Sequence, residues 1–396
     1  MQAPVAGLRV VEFARILAGP WIGQTLADLG ADVVKVEAPG GDDTRSWGPP
    51  FVPGIDGDHL SAAYFHACNR GKRSIVLDFS TEHGRDAARR LAADADVVIE
   101  NFKLGGLKKY GLDYESLSAL NPRLVYCSIT GFGQDGPYAH RAGYDYIVQG
   151  LGGIMDLTGD PQGEPQKVGV AFADIFTGLY GVIAIQAALA QRERTGRGQH
   201  IDMALLDCMT GVLANQALNY LVSGASPHRM GNAHPNIAPY QVFAVADGHI
   251  ILAVGNDGQF ARLCEALGQS GLAAEPDFAT NAARVGQRDR LTALLAPLIA
   301  ARGRDDFLAM MEAAGVPAGP INSVSDVFSD PQIVARGMRI DMAEDAALGG
   351  FVPGVRTPIR FSDAELALSR PSPRLGQHTQ EILAEIGMDA ASRGGA

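Results

Sequence analysis

The amino-acid sequence predicts an α/β protein that has an open, doubly wound, Rossmann-like large domain and a smaller α+β domain. Short β-rich apolar runs alternate with amphipathic helical stretches through roughly the first half of the chain, a pattern typical of a parallel sheet with helices on both faces. After about residue 225, alternating apolar and polar residues surround an Asp-Gly pair, which indicates a hairpin. A chain of 396 residues has room for two or three domains.

The first β-α-β unit lies at the N-terminus. The apolar run "LRVVEF" at 8–13 predicts a strand, the helical spacing of apolar residues at 19–30 predicts a helix, and "DVVKVE" at 32–37 predicts a second strand. Such units are normally right-handed and place their strands parallel.

The same alternation continues downstream. A helix at 80–95 begins at Ser80 or Thr81, and a long helix follows Asp174 and ends near Gly196. Further strands are predicted at 73–79, 96–102, 123–133 and 199–207, and a short helix at 114–121. An amphipathic stretch at 373–387 predicts a last helix that returns to the large domain.

These elements predict the domain organisation. Residues 1–198 form the N-terminal part of the large α/β domain, and residues 199–225 form a linker. Residues 226–325 form the small α+β domain, which includes a hairpin at 240–255 and helices at about 258–267, 288–302 and 304–314. Residues 326–396 form a second linker and the C-terminal return.

Composition excludes several function classes. The formal net charge of −11 disfavours a broad contact with nucleic acid or an anionic membrane. The four cysteines are far apart, which indicates buried free thiols in a reducing compartment. No signal peptide is indicated at the N-terminus, and the longest apolar helical stretch is expected to be too short for a bilayer. The expected location is the cytoplasm.

Common cofactor and metal motifs are absent. The turn after the first strand, "FARILAGPWIG", lacks the G-x-G-x-x-G fingerprint, so Glu37 is not expected to bind a nucleotide ribose. No HExxH, P-loop or G-x-S-x-G occurs, and no two of the nine histidines have ligand spacing. We therefore expect neither a metal nor a bound cofactor.

Asp174 is the most informative single residue, because it stands alone in the apolar, glycine-rich stretch "KVGVAFADIFTGLYG". Aspartate before a helix is a favoured N-cap, so a structural role is one interpretation. A carboxylate at a helix N-terminus is also stabilised in its charged form, and an ionised, poorly hydrated carboxylate is a competent nucleophile. Gly178 and Gly181 thin the face of this helix, which would let a ligand approach.

Several segments, in order along nearly the whole chain, resemble the class III CoA-transferases. They include "VEFARILAGPWIGQTLADLGADVVKVE", "NRGKRSIVLDF", "VVIENFKLGGLKKYGLDY", "SITGFGQDGPY", "VGVAFADIFTGLYG" and "RTGRGQHIDMALLD". Other segments, "WGPPF", "RAGYD", "GNAHPNIAPYQVF" and "GVPAGPIN", are most similar to members that use succinyl-CoA and dicarboxylates.

The resemblance implies that Asp174 is the catalytic nucleophile. It would attack an acyl-CoA thioester to give a mixed anhydride, and CoA thiolate would then form an aspartyl-CoA thioester. An acceptor carboxylate completes the transfer. Covalent steps of this kind divide one difficult exchange into easier ones. The oxyanions need N–H donors, and candidates are the turns at Gly19 and Gly131 and the loop at 231–238.

The resemblance also implies where CoA binds in the large domain. The matching positions are Leu17, Ala18, Leu77, Asn101, Phe102, Lys103, Lys109, Thr130 and Gly131. Lys103 and Lys109 are candidate partners of the phosphates, with solvated surface charges as the alternative. Basic residues of the formyl-CoA transferases are missing at Ala38, Ser80 and Thr130, so Arg45, Lys72 or Arg73 are candidates for the 3′-phosphate.

The acyl and acceptor site is implied at Arg45, Trp47, Tyr144, His234 and Asn236. A dicarboxylate needs a cation for its distal carboxylate, and the candidates are Arg15, Arg45 and Arg141. For His234, an ordinary loop position is the alternative. The acyl-CoA and the free acid are the expected partners, together with a second copy of the chain in an interlocked homodimer.

Two other functions remain as alternatives. The 2-methylacyl-CoA racemases of the family need a second base, and their "AGHD" segment reads "AGYD" here. Tyr144 is a poor base near neutral pH, and His140 is out of register. A CoA-binding protein without catalysis is the other alternative, although the Asp174 segment is intact.

Overall fold

The structure is a computed structural model that describes residues 2–388. The strands are β1 (Arg9–Glu12), β2 (Asp32–Glu37), β3 (Phe51–Pro53), β4 (His59–Ala62), β5 (Arg73–Val76), β6 (Val97–Glu100), β7 (Val125–Thr130), β8 (His200–Ala204), β9 (Tyr240–Val245), β10 (Gly248–Ala253), β11 (Ala318–Pro320), β12 (Arg339–Ala343) and β13 (Phe351–Val355).

The helices are α1 (Ala18–Asp28), α2 (Ala63–His66), α3 (Glu82–Ala93), α4 (Tyr114–Leu120), α5 (Asp145–Leu151), α6 (Ile154–Leu157), α7 (Phe172–Thr195), α8 (Leu205–Gly211), α9 (Ala214–Ser223), α10 (Asp257–Ala266), α11 (Asn281–Gly286), α12 (Arg288–Ala300), α13 (Arg304–Ala314), α14 (Val324–Ser329), α15 (Pro331–Ala335) and α16 (Thr379–Glu385).

The chain divides into two compact units. The first comprises Met1–Ile154, Val168–Leu218 and Pro331–Ala396, and the second comprises Met155–Lys167 and Asn219–Asp330. Residues 199–225 contain β8, α8 and α9. The domain boundaries inferred from the sequence stay predictions.

A parallel six-stranded sheet in the order β5-β2-β1-β6-β7-β8 organises the first unit. Without the β3–β4 hairpin, this is the doubly wound order 3-2-1-4-5-6. The order reverses between β1 and β6, and ligands of such sheets bind outside the carboxyl ends of the strands at this switch point. The predicted α/β class is confirmed.

Both faces of the sheet are buried. One apolar cluster includes Ile22 of α1, Ile99 of β6 and Ile185 of α7. The opposite cluster includes Ile75 of β5 and Ile382 of α16. Burial of both faces explains why apolar residues stand side by side in strands such as β1 and β6, without alternation with polar ones.

The C-terminal helix covers the outer edge of the sheet. The N–H of Ser74 in β5 donates to His378 Nδ1 (3.2 Å), and the N–H of Val76 donates to Thr379 Oγ1 (3.2 Å). The His378 N–H donates in turn to the Ser74 carbonyl (3.0 Å). Edge groups that would otherwise be unpaired are therefore bonded by α16.

The second unit contains an antiparallel sheet in the order β11-β10-β9. Phe243, Ile250 and Phe260 belong to its apolar core, together with Leu291 and Phe307. The predicted Asp-Gly hairpin at 240–255 is confirmed as β9 and β10.

Several local predictions are confirmed and others are wrong. Thr81 is the N-cap of α3, and Gly196 ends α7 with φ of 72°. The β3–β4 and β12–β13 hairpins were not predicted. Helix α7 has 24 residues and is long and apolar enough to cross a membrane, contrary to the expectation from sequence. One such helix is weak evidence for a membrane span, and 33% of its apolar stretch is buried in the protein.

Candidate active site

The loops that follow β1 and β6 are joined at the switch point of the sheet. Asn101 Oδ1 accepts the N–H of Arg15 (3.0 Å), and Asn101 Nδ2 donates to the Arg15 carbonyl (2.7 Å). The next residue, Ile16, has a positive φ of 74°, which is uncommon for a β-branched residue. Leu17 is the N-cap of α1, and both Leu17 and Ala18 are buried.

A buried ionic cluster holds the same loop. Lys72 Nζ contacts Glu12 Oε2 (2.8 Å), and Lys35 Nζ contacts Glu12 Oε1 (3.1 Å) and Asp42 Oδ2 (2.9 Å). Lys72 also donates to the Pro20 carbonyl (2.9 Å), and Lys35 donates to the Ala14 carbonyl (3.0 Å). The loop geometry thus depends on charges that are fully paired inside the protein.

This cluster corrects part of the phosphate prediction. Lys72 is fully buried, so its ammonium group is not accessible to an external phosphate. Arg73 is also buried, and its guanidinium is bound by Asp32 (2.6 Å) and Glu385 (2.7 Å). The positive charges of Lys72 and Arg73 are therefore paired with carboxylates of the protein itself.

Arg45 is also extensively bonded. Its Nε and Nη2 donate to Glu37 (2.8 and 2.7 Å), both Nη atoms donate to the Pro373 carbonyl (3.1 Å), and the guanidinium lies 3.7 Å from the centre of the Phe65 ring. Glu37 is buried and bound by Arg45 and Ser74. Hydrogen bonds from Arg45 and the charge of Lys35 outweigh burial and lower the pKa of Glu37.

Other positions that were matched to CoA contacts follow the carboxyl ends of β5 and β6. Leu77 is buried, Asn101 and Phe102 are half-buried, and Lys103 is exposed. Lys109 is exposed, and its ammonium lies 4.7 Å from the Tyr110 ring centre.

Thr130 and Gly131 shape the turn after β7. Thr130 Oγ1 accepts the N–H of Gly133 (2.8 Å). A Cβ on Gly131 would lie 2.5 Å from Gly143 Cα, so two main-chain segments cross here at a distance that only glycine permits.

Asp174 lies in the first turn of α7, two residues after its first residue. The N-cap of α7 is Ala171, which has no side-chain cap, so the predicted N-cap role of Asp174 is wrong. Asp145 of α5 supplies the cap instead. Its Oδ1 accepts the N–H groups of Ala173 (2.8 Å) and Asp174 (3.3 Å).

Gln149 extends this support by one helical turn. Its Nε2 donates to Asp145 Oδ2 (2.7 Å), and its Oε1 accepts the N–H of Val168 (2.9 Å). Gln149 is fully buried. The two side chains of α5 therefore fix the segment that leads into Asp174, although no motif in the sequence identified them.

The electrostatic environment of Asp174 differs from the expected one. Burial, followed by the neighbouring Asp145 carboxylate, raises the pKa of Asp174 to about 7. The expectation that Asp174 stays fully ionised is therefore wrong near neutral pH. A carboxylate of higher basicity is also a stronger nucleophile once it is ionised.

Tyr64 and Trp47 adjoin this site. Burial, followed by Asp174, raises the pKa of Tyr64 to about 12. The Trp47 ring meets the Tyr64 ring edge-on at 5.4 Å, and 45% of Trp47 is exposed. Trp47 was matched to the substrate site from the sequence, whereas Tyr64 was missed because it lies in the unremarkable segment "AAYFHA". Tyr144, which precedes α5, is 63% exposed.

Gly178 and Gly181 have a different role from the predicted one. A Cβ on Gly178 would lie 3.0 Å from Trp21 Cδ1, and one on Gly181 would lie 2.3 Å from Ile22 Cδ1. These glycines allow α7 to pack closely on α1, so this face of the helix is not open to a ligand.

His234 and Asn236 lie in the second unit. His234 Nδ1 accepts the N–H of Asn236 (3.1 Å), and the His234 ring lies 5.2 Å from the Tyr240 ring. Burial, followed by the charge of Arg288, lowers the pKa of His234. Asn219 Nδ2 donates to Asn236 Oδ1 (3.2 Å).

A cavity of about 210 Å³ opens beside the Phe102–Lys103 loop of the first unit. Ser128 Oγ lies 2.9 Å from His200 Nε2, and Glu100 Oε2 accepts the N–H of Phe102 (2.7 Å). Burial raises the pKa of Glu100 to about 7. These groups had no motif signal in the sequence.

Within residues 2–388, no three His, Cys, Asp or Glu side chains are grouped so that they could hold a metal ion. Asp174 is a half-buried carboxylate of raised pKa on a fixed helix turn. Such a group is suited to nucleophilic attack on an activated carbonyl.

Comparisons with known proteins agree with this chemistry. The model of CoA-transferase family III matches residues 5–379. Succinate–glutarate CoA-transferase of Agrobacterium fabrum is 60% identical over 97% of this chain and 96% of that protein. Succinyl-CoA:glutarate CoA-transferase of Mus musculus is 42% identical over 97% of this chain and 86% of that protein.

A crystal structure of a CaiB/BaiF family protein from Brucella suis matches with a TM-score of 0.87 and 67% identity. It covers 98% of this chain and 100% of the other. The match extends through both compact units, and the family model includes Asp174. The chain belongs to CoA-transferase family III, and it is a CoA-transferase.

Proposed function

We propose that this enzyme transfers CoA from succinyl-CoA to a dicarboxylate, with Asp174 as the nucleophile. The observation that carries the proposal is the placement of Asp174 in the first turn of α7, where Asp145 fixes its main chain and burial raises its pKa to about 7. The names of the Agrobacterium and mouse relatives support the donor and the glutarate-like acceptor.

The steps balance without an external energy source. An Asp174 carboxylate oxygen attacks the thioester carbon, the C–S bond breaks, and its electron pair leaves with CoA as the thiolate. The thiolate then attacks the Asp174 carbonyl of the anhydride, and succinate leaves as a carboxylate. The acceptor carboxylate attacks the aspartyl thioester carbon and expels CoA as the thiolate, which leaves a second mixed anhydride. The thiolate then attacks the acceptor carbonyl of this anhydride, so that the new acyl-CoA forms and Asp174 leaves as the free carboxylate. No cofactor is required, because the CoA thioester is itself a substrate.

The switch point of the sheet supports the proposed CoA site. Leu17 and Ala18 follow β1, and Asn101 and Phe102 follow β6, which is where doubly wound sheets bind ligands. We assign the CoA phosphates to the exposed Lys103 and Lys109, since Lys72 and Arg73 are bound internally.

Arg141 is the proposed cation for the distal carboxylate of the acceptor. Arg45 is bound by Glu37 and Pro373, and Arg15 is paired with Asp43 (2.8 Å). Arg141 is exposed and stacks on Tyr138 at 3.8 Å, and within residues 2–388 it has no carboxylate partner. It lies four residues before Asp145, which supports the nucleophile. We keep Trp47, Tyr144, His234 and Asn236 as proposed substrate contacts.

A homodimer is part of the proposal. Helices α5 and α7 carry large apolar side chains that the single chain leaves exposed, such as Tyr146 (60%), Ile147 (51%) and Ile183 (62%). Exposed apolar clusters of this kind mark interaction surfaces. We also propose a cytoplasmic location, since the four cysteines are free and buried. Sedimentation of a pure monomer would contradict the dimer.

The 2-methylacyl-CoA racemase alternative is not favoured. Racemisation needs a second base beside Asp174. The titratable neighbours described around Asp174 in the first unit are Asp145, which is bound to main-chain N–H groups, and Tyr64, whose pKa is raised to about 12. Neither is suited to remove an α-proton near neutral pH.

The decisive experiment is trapping of the covalent intermediate. Incubation with succinyl-CoA and a hydroxylamine quench are expected to modify Asp174, which peptide mass spectrometry locates. Asp174→Asn should abolish both the modification and CoA transfer. Transfer at an unchanged rate by this variant would remove Asp174 from the mechanism. A panel of glutarate, hydroxymethylglutarate, itaconate, malate and mesaconate identifies the acceptor.

A further inference from the structure

Two carboxylates share the N-terminus of α7. Asp174 belongs to the helix, and Asp145 approaches from α5 to accept the N–H groups of Ala173 (2.8 Å) and of Asp174 itself (3.3 Å). A helix N-terminus stabilises one negative charge by its free N–H groups. Here the Asp145 side chain accepts two of those N–H groups, so the Asp174 side chain is left with less of that stabilisation.

We propose that Asp145 is a positioning residue that also favours acylation of Asp174, because its negative charge repels the free Asp174 carboxylate but not the acylated one. This inference rests on the proposed function. It assigns to one side chain two effects, which are orientation of the nucleophile and destabilisation of its unreacted state.

The charge balance of the reaction explains the second effect. Before reaction, Asp174 is an anion beside a second anion. After the thiolate displaces the donor acid, Asp174 is a neutral thioester, and the negative charge leaves the site with the released carboxylate. The repulsion between the two side chains is thereby removed in both covalent states, the anhydride and the thioester. Like charges in a poorly hydrated site interact strongly.

The groups that face Asp174 are consistent with this role. Burial and the Asp145 charge both raise the pKa of Asp174, with burial as the larger cause. Helix α2 contributes the Tyr64 phenol, whose own pKa is raised. Within residues 2–388, no cation contributes to the raised pKa of Asp174.

Three variants separate the effect of the Asp145 charge from the effect of the hydrogen bonds that hold the start of α7. Asp145→Asn retains a carboxamide oxygen for the N–H groups and removes the charge. Asp145→Glu retains the charge and changes the geometry. Gln149→Leu removes the contacts to the 168–170 segment and the hydrogen bond to Asp145 Oδ2, and it leaves the charge of Asp145 in place. Circular dichroism and thermal unfolding are used to select variants that keep the fold.

The first measurement is the pH profile of kcat/KM with succinyl-CoA. We expect the acid limb of Asp145→Asn to move to lower pH by roughly half a unit to one unit, since removal of a like charge favours ionisation. The limbs of Asp145→Glu and Gln149→Leu should stay within about 0.3 unit of the wild type, even where kcat falls. If Asp145→Asn lowers kcat and leaves the limb in place, Asp145 is only a structural cap and the inference fails.

The second measurement is the equilibrium ratio of the Asp174–CoA thioester to free Asp174. It is made at a pH above the acid limb of the kcat/KM profile, by mass spectrometry after an acid quench. Asp145→Asn should lower this ratio about tenfold for each pH unit of limb shift. An unchanged ratio contradicts the inference. If the wild type shows no acylation at all, the proposed function fails, whereas wild-type acylation with an unaltered Asp145→Asn refutes only the role given to Asp145.

Discussion

Lys72 Nζ lies 2.8 Å from Glu12 Oε2, and neither side chain is accessible to solvent. The pair lies between the end of β1 and the start of α1, and Lys72 also donates to the Pro20 carbonyl. We expect Lys72→Met to lower the free energy of unfolding by about 3–5 kcal/mol, because it leaves Glu12 with one buried cation fewer. Urea unfolding near pH 7 measures the change.

The matched control for this change is an exposed pair, Arg90 with Asp86 (3.0 Å) on α3. Arg90→Ala should change the free energy of unfolding by about 0.5 kcal/mol or less. Equal effects of the two substitutions would show that the buried cluster does not hold the loop as described.

The contact between α7 and α1 yields a second prediction. Gly181→Ala places a Cβ 2.3 Å from Ile22 Cδ1, so the helices must move apart or Ile22 must change its rotamer. We expect a loss of about 1–3 kcal/mol in the free energy of unfolding. Gly211→Ala in α8, where a Cβ has no neighbour within 4 Å, should be nearly neutral or stabilising. A Gly181→Ala variant as stable as Gly211→Ala would contradict the packing.

The raised pKa of Asp174 has a consequence for stability. A carboxyl group whose pKa rises from 3.8 to about 7 on folding favours the unfolded state once that state ionises. The penalty therefore grows as pH rises from about 4 to 7 and is constant above 7. Asp174→Asn should be more stable than the wild type by about 4 kcal/mol at pH 8, and the difference should shrink toward pH 4. Chemical unfolding across this range is the test, and a difference independent of pH would contradict the shift.

Acceptor recognition yields a fourth prediction. Arg141→Met should raise KM for glutarate about tenfold or more, because a hydrogen bond to a charged group contributes about 1.5–3 kcal/mol. KM for butyrate, which lacks the second carboxylate, should stay near the wild-type value. Initial rates with both acceptors measure the effect. An equal loss for both acids would place the distal-carboxylate site elsewhere.

Much of the sheet was predictable from the sequence because its strands are buried on both faces. The runs at 8–13, 32–37 and 96–102 each contain adjacent β-branched apolar residues, and each became a parallel strand. The β3–β4 and β12–β13 hairpins are two-stranded and less apolar, and contain Pro53 and Pro353, so strand periodicity did not identify them.

The site was predictable only in part. The position of Asp174 stands out because a lone acid in an apolar stretch is unusual, but its cap depends on a bond to Asp145, 29 residues away in sequence. The same limit applies to Lys72, whose partner Glu12 is 60 residues away. The local sequence shows that these residues are charged but not which residues they pair with. Lys72 and Arg73 are unsuitable for an external phosphate because the tertiary fold pairs them with distant carboxylates.

The cover that α16 provides for β5 has a consequence for biosynthesis. His378 follows Ser74 by 304 residues, so the ribosome releases strand β5 long before the segment that protects it. During that interval the main-chain groups on the outer side of β5 are unpaired in the nascent chain, and such an edge strand can pair with another chain. Termination of translation upstream of His378 would leave the outer side of β5 permanently unpaired, and we expect such truncated chains to aggregate.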